Sequence, residues 1–248
     1  MYEVNTMKTI LFGNYWQSNN TDKEPIEWIV LKEEEDKMYV LSKYCLDCVP
    51  YSDGNKTIWE DSFARKWLNT KFINDAFSVE EQDKILLSDI KTDKWWGPRL
   101  DNGTPVKDKI FLPSISEAIL YFDSTEWHNI VAEQKRITRP TNYAYERGCW
   151  AYPLEYGKIK DISKLRSCMQ ENFNKNNSYW YYEGGIKKGD DIFEKDTIEK
   201  RWSCRWYLRS PNEYIIGVSR EGAIYDITIE RDMLYGGTAI RPAMWIKK

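Results

Sequence analysis

The sequence predicts a mixed α+β fold that combines a mostly antiparallel sheet with short helices and long loops. Three observations indicate this class: β-rich segments stand near both ends of the chain, capped amphipathic segments lie between them, and two long stretches have no periodicity. The 248 residues fit one large domain or two small ones. Because no Pro- or Ser-rich linker divides the chain, we expect a single domain over residues 1–248.

Three strand signals open the chain. TILFGNYW is a short β-rich segment, and IEWIVLK and KMYVLSKY are two more. The acidic turn from Glu33 to Asp36 joins the last two segments, which predicts an antiparallel hairpin.

The first helix signal follows this hairpin. Thr57 and Glu60 have the S/T-x-x-E spacing of a capping box, which satisfies free backbone N–H groups at a helix start. Behind them Trp59, Phe63 and Trp67 recur every four residues, so the three rings share one helix face. We expect that face to lie in the core.

Three more short helices are predicted. The capping-box spacing recurs at Ser78 with Glu81 and at Ser114 with Glu117. The segment TNYAYERG is the last helix signal, and it ends at Gly148. The helix after Ser114 places four apolar residues on one face: Ile115, Ala118, Ile119 and Phe122.

Two stretches are irregular. KTDKWWGPRLDNGTPVKD carries Gly-Pro and Asn-Gly turn signals around the adjacent Trp95 and Trp96, so we expect a loop that exposes at least one ring for binding. The other stretch, about residues 148–201, passes from polar to aromatic to glycine-containing sequence and predicts a long surface insertion. The alternative for the two rings is that this insertion folds over them.

The chain returns to β-structure after the insertion. EYIIGVS and AIYDITI are joined by Arg220-Glu221-Gly222, where Gly222 can supply the positive φ of a tight hairpin. TAIRPAMWI closes the chain, and Pro242 predicts that this strand starts late, bulges or lies at an edge. We expect the N-terminal strands to share a sheet with the final strand. Its two faces carry Ile240, Met244 and Ile246 on one side and Arg241 and Trp245 on the other.

The segment WYLRSP leads into this terminal β-structure. Strand alternation puts Trp206 and Leu208 on the core side and Tyr207 and Arg209 on the opposite side. Arg209 and Arg241 have two interpretations. The favoured one is structural, since a guanidinium has five donors and can tie loop carbonyls or a carboxylate together. The other is that they bind an anionic or polar ligand group.

Composition favours recognition over acid–base chemistry. The net charge of −3 gives no basic surplus for nucleic acid, and the only histidine is His128. Aromatic residues make up 15%, although many rings are expected to fill the core of a loop-rich domain. No segment has the length of a signal peptide's apolar run or of a membrane span, so we expect a cytoplasmic protein without a membrane partner.

The five cysteines are expected to be reduced thiols rather than a disulfide framework. Cys45 and Cys48 form a single CxxC. A zinc site there would need ligands from the distant Cys149, Cys168 or Cys204, so the favoured interpretation of the CxxC is buried residues at a strand end. We predict no metal and no cofactor.

Eight ordered motifs carry a resemblance to known proteins. They are FGNYWQ, PIEWIVL, LSKYCLD, FARKWLN, FLPSISEA, RPTNYA, WYLRSP and IRPAMWI. The series resembles a family of bacterial and phage-encoded domains of unknown function and covers nearly the whole chain. The C-terminal half is similar to C-type-lectin-like folds, which include formylglycine-generating-enzyme-like domains and variable proteins of diversity-generating retroelements. That resemblance implies a C-type-lectin-like sheet arrangement but identifies no function.

The chain departs from the functional sites of those relatives. SPNE lacks the acidic residue that a calcium-dependent lectin loop would place before Pro211-Asn212, so calcium is not predicted. A formylglycine-generating oxidase would need a second cysteine near Cys204 to hold copper, and only Cys149 or Cys168 could approach it in space. YGGTA lacks the lysine of a phosphate loop, and one histidine supports no confident catalytic triad.

These observations favour a binding module that recognises a protein or glycan through aromatic and arginine side chains of the terminal sheet and loops, with no catalysis expected. The alternatives are an enzyme of unrecognised type, including a degenerate formylglycine-generating oxidase, and an assembly scaffold. We expect no nucleic-acid partner. The candidate ligand-binding residues are Trp95, Trp96, Tyr207, Arg209, Asp226, Tyr235 and Arg241.

Overall fold

The computed structural model describes residues 7–52, 58–92, 105–122, 134–149, 151–153, 202–209, 215–220, 222–227 and 237–248. These residues form a mixed α+β fold in which the strand pairs of the sheets are antiparallel and the helices are short, as predicted. The prediction of a single domain over residues 1–248 stays a prediction. No helix in the described ranges is long and apolar enough to cross a membrane.

The strands, in chain order, are β1 Thr9–Trp16, β2 Lys23–Glu33, β3 Lys37–Ser42, β4 Ser88–Ile90, β5 Val106–Asp108, β6 Ile110–Phe111, β7 Ala151–Pro153, β8 Trp202–Cys204, β9 Trp206–Tyr207, β10 Ile216–Val218, β11 Ile224–Asp226 and β12 Ala243–Lys247. The helices are α1 Phe63–Trp67, α2 Ile73–Ala76, α3 Val79–Lys84, α4 Ile115–Leu120 and α5 Asn142–Glu146.

A five-stranded sheet with the order β1-β2-β3-β12-β6 organises the fold. The final strand β12 pairs antiparallel with β3, in the register Ala243 to Leu41 and Lys247 to Lys37. This confirms that the N-terminal strands and the final strand share a sheet. The strand starts late, as Pro242 predicts: β12 begins at the next residue, while the Pro242 carbonyl accepts a hydrogen bond from the Ser42 N–H at 2.9 Å.

The closing segment does not have one buried face and one exposed face. Ile240, Met244 and Ile246 are buried as expected, and Trp245 is half-buried. Arg241, however, is only 1% exposed. The prediction of a rim or functional face therefore fails at Arg241, because more of the chain packs over the end of this segment than strand alternation alone reveals.

Two predicted capping boxes are present. The Ser78 and Ser114 hydroxyls accept hydrogen bonds from the N–H groups of Glu81 and Glu117, and both glutamates bond back to the cap N–H. The helix α5 begins after Thr141, whose side chain accepts from Ala144 N–H, and Gly148 follows it with φ of 103°. The sequence therefore located three of the helix starts correctly.

The helix predicted from Thr57 begins later. Thr57 lies outside the described residues, and Trp59 belongs to a short 3₁₀ turn, Trp59–Asp61. Helix α1 starts after Ser62, whose hydroxyl accepts from the Arg65 N–H at 3.1 Å. A π-helical turn, Leu68–Phe72, then separates α1 from α2. Trp59 and Trp67 are both buried, so their assignment to the core is confirmed.

Two clusters of buried residues meet at β9. Tyr207 packs in the larger cluster around the five-stranded sheet, whereas Trp206 and Leu208 pack in a second cluster. The predicted alternation of WYLRSP is therefore correct, but both faces are buried. The second cluster contains Cys45, Cys48, Ile115, Ala118, Ile119, Ala144, Cys149, Cys204, Trp206, Leu208, Ile216, Val218, Ile224 and Ala239.

The smaller sheets complete the described chain. The predicted hairpin of β10 and β11 is present, with Gly222 at φ of 82°, and β9 pairs with β10. The strands β7 and β8 pair antiparallel, with Ala151 opposite Cys204, so the two ends of the predicted insertion at 148–201 lie side by side. Residues 154–201, which form most of that insertion, lie outside the described residues.

Candidate functional site

Arg209 follows β9 and is held by the chain on several sides. Its side chain is 3% exposed and pairs with Glu117 at 3.1 Å. The guanidinium also donates to the carbonyls of Leu112 at 2.6 Å and Lys91 at 3.1 Å. These contacts join α4 to the segments before and after it, which is the structural role that the sequence favoured.

Arg241 is also buried, but its hydrogen bonds join different segments of the chain. It donates to the carbonyl of Ser42 at 3.0 Å and, more weakly, to those of Lys43 and Arg136 at 3.4 Å. The guanidinium lies 4.9 Å from the Trp206 ring centroid, a cation–π distance. The contacts recorded for the two arginines involve no common residue, so the structure gives no sign that they converge on one ligand.

The remaining predicted site residues are divided between buried and undescribed positions. Tyr207 is fully buried, and burial is the main cause that raises the pKa of its hydroxyl. Asp226 is half-buried at the end of β11. Trp95, Trp96 and Tyr235 lie outside the described residues, so their predicted role in binding stays a prediction.

A polar groove with a volume of about 350 Å³ opens between α1, the following π-helical turn and the strand β5. Its floor and walls combine cationic, amide and hydroxyl groups with two aliphatic side chains. The lining residues are Arg65, Lys66, Asn69, Thr70, Ile73, Leu87, Lys107, Asp108 and Lys109. We refer to these nine residues as the basic groove.

Asn69 fixes the geometry of the basic groove. Its amide nitrogen donates to the Ile110 carbonyl at 2.7 Å, and its amide oxygen accepts from the N–H groups of Lys109 and Ile110. One side chain on the helical wall thus holds the backbone of the opposite wall. The Lys109 ammonium group is placed by a 2.7 Å hydrogen bond to the Gln82 carbonyl.

Asp108 is the acidic member of the basic groove, and its charge is already engaged. Its carboxylate, in a side chain 2% exposed, accepts from Arg65 Nε at 2.8 and 3.0 Å and from Trp59 Nε1 at 2.9 Å. Burial raises the pKa of Asp108, while the bonds from Trp59 and Arg65 oppose that shift. The buried carboxylate therefore joins the strand wall of the groove to the helical wall and is not available to a ligand.

The lysines of the basic groove face a different environment. Lys66 and Lys107 are exposed and Lys109 is half-buried. Lys107 has a long 3.9 Å ion pair with the exposed Asp89. Within the described ranges, no carboxylate lies within ion-pair distance of Lys66 or Lys109. The groove therefore has an excess of positive charge in a chain whose net charge is −3.

A second surface combines aromatic rings with cations. The rings of Trp16 and Tyr143 lie 5.5 Å apart, Lys23 Nζ lies 4.6 Å from the Trp16 centroid, and Arg147 lies 6.0 Å from Tyr143. Below them Arg147 Nε donates at 3.2 Å to the buried Asp47, which also accepts from the Tyr15 hydroxyl at 2.6 Å. The sequence predicted a binding surface of aromatic and cationic side chains on the terminal sheet. This surface has the same residue types but lies elsewhere in the fold.

Sequence reasoning missed the basic groove because its walls are about 40 residues apart along the chain. The one local signal is VKDKI, where alternation places Lys107 and Lys109 on one face and Asp108 on the other. Cys45 and Cys48 are buried just after β3, as predicted. Among the described side chains, no group of three or more His, Cys, Asp or Glu residues is arranged to hold a metal ion.

Comparison with known proteins gives one family. The profile of DUF6273, a domain of unknown function, matches residues 35–248. The matched part contains all lining residues of the basic groove, while β1 and β2 precede it. No curated protein sequence and no solved structure matches the chain.

Proposed function

This chain belongs to the DUF6273 family of domains of unknown function, and we propose that it is a binding module for an anionic group on a protein or glycan. The basic groove would receive that group. The proposal keeps the class of function that the sequence favoured and moves the ligand contact away from the buried arginines of the terminal segment.

The observation that carries the proposal is the excess positive charge of the basic groove. Four of its nine lining residues are Lys or Arg, and its carboxylate, Asp108, already accepts hydrogen bonds from Arg65 and Trp59. Lys107 has only a long 3.9 Å ion pair with the exposed Asp89, and Lys109 donates to the neutral Gln82 carbonyl. The positive charge of Lys66, Lys107 and Lys109 is therefore largely unbalanced and can attract a ligand. A concave site lined by one sign of charge attracts ions of the opposite sign and orients them.

The fixed walls of the basic groove support the same proposal. Asn69 and the Arg65–Asp108 pair connect the two walls through hydrogen bonds of 2.7 to 3.1 Å. A site whose backbone is already held loses little conformational entropy when it binds. The volume of about 350 Å³ lies near the lower end of the range for ligand sites and fits a small acidic group rather than an extended chain.

The fold class within this proposal is C-type-lectin-like. Two features support it: β12 closes the five-stranded sheet beside β3, and β9, β10 and β11 form a separate antiparallel sheet. The shared sheet of the terminal strands is the one that the terminal hairpin pattern predicted, and the separate sheet contains the hairpin on which the resemblance rests. The basic groove lies between the helical segment 63–76 and β5, away from β9–β11 in sequence.

A titration with hexaglutamate tests the proposed function. We expect the wild-type chain to bind this peptide weakly, with an affinity that falls as salt is added because exposed charges are screened. The variant Lys66→Glu/Lys107→Glu/Lys109→Glu should lose at least tenfold in affinity by isothermal calorimetry. An uncharged hexaserine peptide should not bind either chain.

A charge-matched variant provides the control. Lys8→Glu/Lys32→Glu/Lys71→Glu has the same change in net charge, but its lysines lie outside the basic groove and have acidic partners. It should keep the wild-type affinity within about threefold, allowing roughly 0.6 kcal/mol for long-range effects. Equal losses in both triple variants would show that bulk charge, rather than the groove, attracts the peptide.

A further inference from the structure

The basic groove contains apolar side chains that the proposed function does not use. Two of its lining residues, Ile73 and Leu87, are aliphatic. Leu87 is 62% exposed, whereas Ile73, the first residue of α2, is buried. The other large apolar side chains of comparable exposure in the described ranges are Leu11, Val79, Leu120 and Tyr145, and none of these four lines the groove.

The strands β4 and β5 place Leu87 beside the cations of the groove. In their antiparallel register Asp89 lies opposite Lys107. Because side chains alternate between the two faces of a sheet, Leu87, two residues before Asp89, shares an exposed face with Asp89 and Lys107. The opposite face is buried at Ile90 and Asp108. The leucine and the exposed lysine therefore project from the same face of the strand pair.

The backbone beside Leu87 is fixed, so its exposure is a property of the fold. The Leu86 N–H donates to the Trp245 carbonyl of β12 at 2.8 Å. Ile85 forms an isolated bridge with Ile246 of the same strand. Leu87 cannot turn into the core unless this pairing with β12 is broken.

Ile73 is connected to a lysine of the groove through Gln82. The Gln82 amide nitrogen donates to the Ile73 carbonyl at 3.3 Å, and the Gln82 carbonyl accepts from the Lys109 ammonium group at 2.7 Å. One residue thus holds both an aliphatic position and a cationic group of the lining. The groove therefore offers apolar surface together with positive charge, on walls that hydrogen bonds hold in place.

The lining of the basic groove favours a peptide over a glycan. A sugar ring presents C–H faces that pack on flat aromatic rings, and none of the nine described lining residues is aromatic. Aliphatic side chains instead gain from contact with other aliphatic groups, roughly in proportion to the apolar area removed from water. Such groups are ordinary parts of a peptide and are absent from an acidic glycan such as a polyuronate.

We propose that the ligand of the basic groove is an acidic peptide segment in which an aliphatic side chain, such as leucine, stands next to glutamate or aspartate. This inference rests on the proposed function, since the carboxylates supply the attraction to Lys66, Lys107 and Lys109. The aliphatic side chain packs against Leu87 and Ile73 and removes the exposed surface of Leu87 from water. The volume of about 350 Å³ holds such a side chain beside a carboxylate.

Two peptides of equal charge and length test this inference on the full chain. One has three glutamates on each side of a central leucine, and the other has serine in place of that leucine. Hexagalacturonate, which carries the same number of carboxylates, represents an acidic glycan. By isothermal calorimetry we expect the leucine peptide to bind the wild-type chain roughly fivefold more tightly than the serine peptide, because its leucine side chain is removed from water. Hexagalacturonate should bind no more tightly than the serine peptide.

Substitutions at Leu87 separate the apolar contact from the charge. In Leu87→Ser the ratio of the two peptide affinities should fall to about one, whereas Leu87→Met keeps an apolar side chain of similar volume and should retain most of the ratio. Leu120→Ser is the matched control, because Leu120 is 64% exposed, lies in α4 and does not line the groove. It should keep the wild-type ratio. Both leucines are exposed, so the serine variants should melt within about 2 °C of the wild type.

The outcomes distinguish this inference from the proposed function. Equal affinities of the leucine and serine peptides for the wild-type chain, a comparison that needs no substitution, would overturn the inference and leave the proposed function standing. An unchanged ratio in Leu87→Ser would overturn it as well. So would hexagalacturonate that binds more tightly than the leucine peptide, which would assign the groove to a glycan. If none of the three acidic probes bound, the proposed function and the inference would both be wrong.

Discussion

Single residues show that charge in this fold serves two purposes. Arg209 and Arg241 are 3% and 1% exposed and join segments of the chain through carbonyl oxygens. Lys66 and Lys107 are exposed at the rim of the basic groove. The first pair joins segments of the fold, whereas the second pair is the one that we propose contacts a ligand.

We predict that Arg209→Lys and Arg241→Lys each destabilise the fold. Lysine keeps the charge but loses the planar fork that reaches two or three carbonyl oxygens at once. Breaking such a buried network should lower the free energy of unfolding by about 3–5 kcal/mol, and the melting temperature by roughly 6–20 °C. Calorimetry measures both values.

Arg139→Lys is the matched control for these variants, because Arg139 is exposed and lies over the Tyr44 ring. It should melt within about 2 °C of the wild type, as surface substitutions usually do. If Arg209→Lys and Arg241→Lys also melted within a degree of the wild type, the structural role of both arginines would be wrong.

Two glycines with positive φ are expected to respond differently to alanine. At Gly13, with φ of 69°, a Cβ atom would overlap the Phe77 ring and approach the Ala76 carbonyl to 2.8 Å. At Gly148, with φ of 103°, it would meet nothing within 4 Å. Gly13→Ala should cost about 2–5 kcal/mol and Gly148→Ala about 1–2 kcal/mol in urea unfolding. Equal costs would contradict the close packing of β1 against the α2 end.

Among the elements, β12 connects the ends of the chain. It lies between β3 and β6 in the five-stranded sheet, so its loss leaves β6 without its partner, leaves β3 as an edge strand and opens the apolar core. We predict that deletion of residues 239–248 abolishes the cooperative thermal transition. Deletion of Lys248 alone, which is exposed, should retain it. A truncated chain that melts cooperatively near the wild-type temperature would refute the closed sheet.

The helices show which local signals are sufficient. Ser78 and Ser114 cap helices as predicted because both members of each capping box are close in sequence. Helix α1 begins later than the capping-box spacing predicts, since Ser62 provides its cap and Trp59 belongs to a separate turn. Local spacing therefore predicts the presence of a helix more reliably than it predicts the first residue of that helix.

At the scale of the molecule, two cores share the strand β9. Tyr207 belongs to the larger core, and Trp206 and Leu208 belong to the second core. Alternation in the sequence predicts correctly which residues point together, but it cannot tell that both sides are covered. That is why Arg209 and Tyr207 were candidates for a ligand surface and are buried in the structure.

Long-range proximity explains the features that the sequence did not predict. The basic groove joins Lys66 with Lys107 and Lys109, and the second core joins Cys48 with Cys149 and Cys204. No periodicity or motif connects these positions along the chain. The sequence left open whether Cys149 or Cys168 approaches Cys204, and the structure places Cys149 and Cys204 in one cluster of buried residues.

The most direct test of the central claim is an NMR titration of the ¹⁵N-labelled wild-type chain with hexaglutamate. If the basic groove binds acidic groups, the largest amide shift changes will lie at its lining residues, 65, 66, 69, 70, 73, 87 and 107–109. They will shrink as salt is added, because the attraction is between exposed charges. Shift changes centred instead on Trp16 and Tyr143, on the β9–β11 sheet, or spread evenly over the surface would contradict the assignment of the ligand to the basic groove.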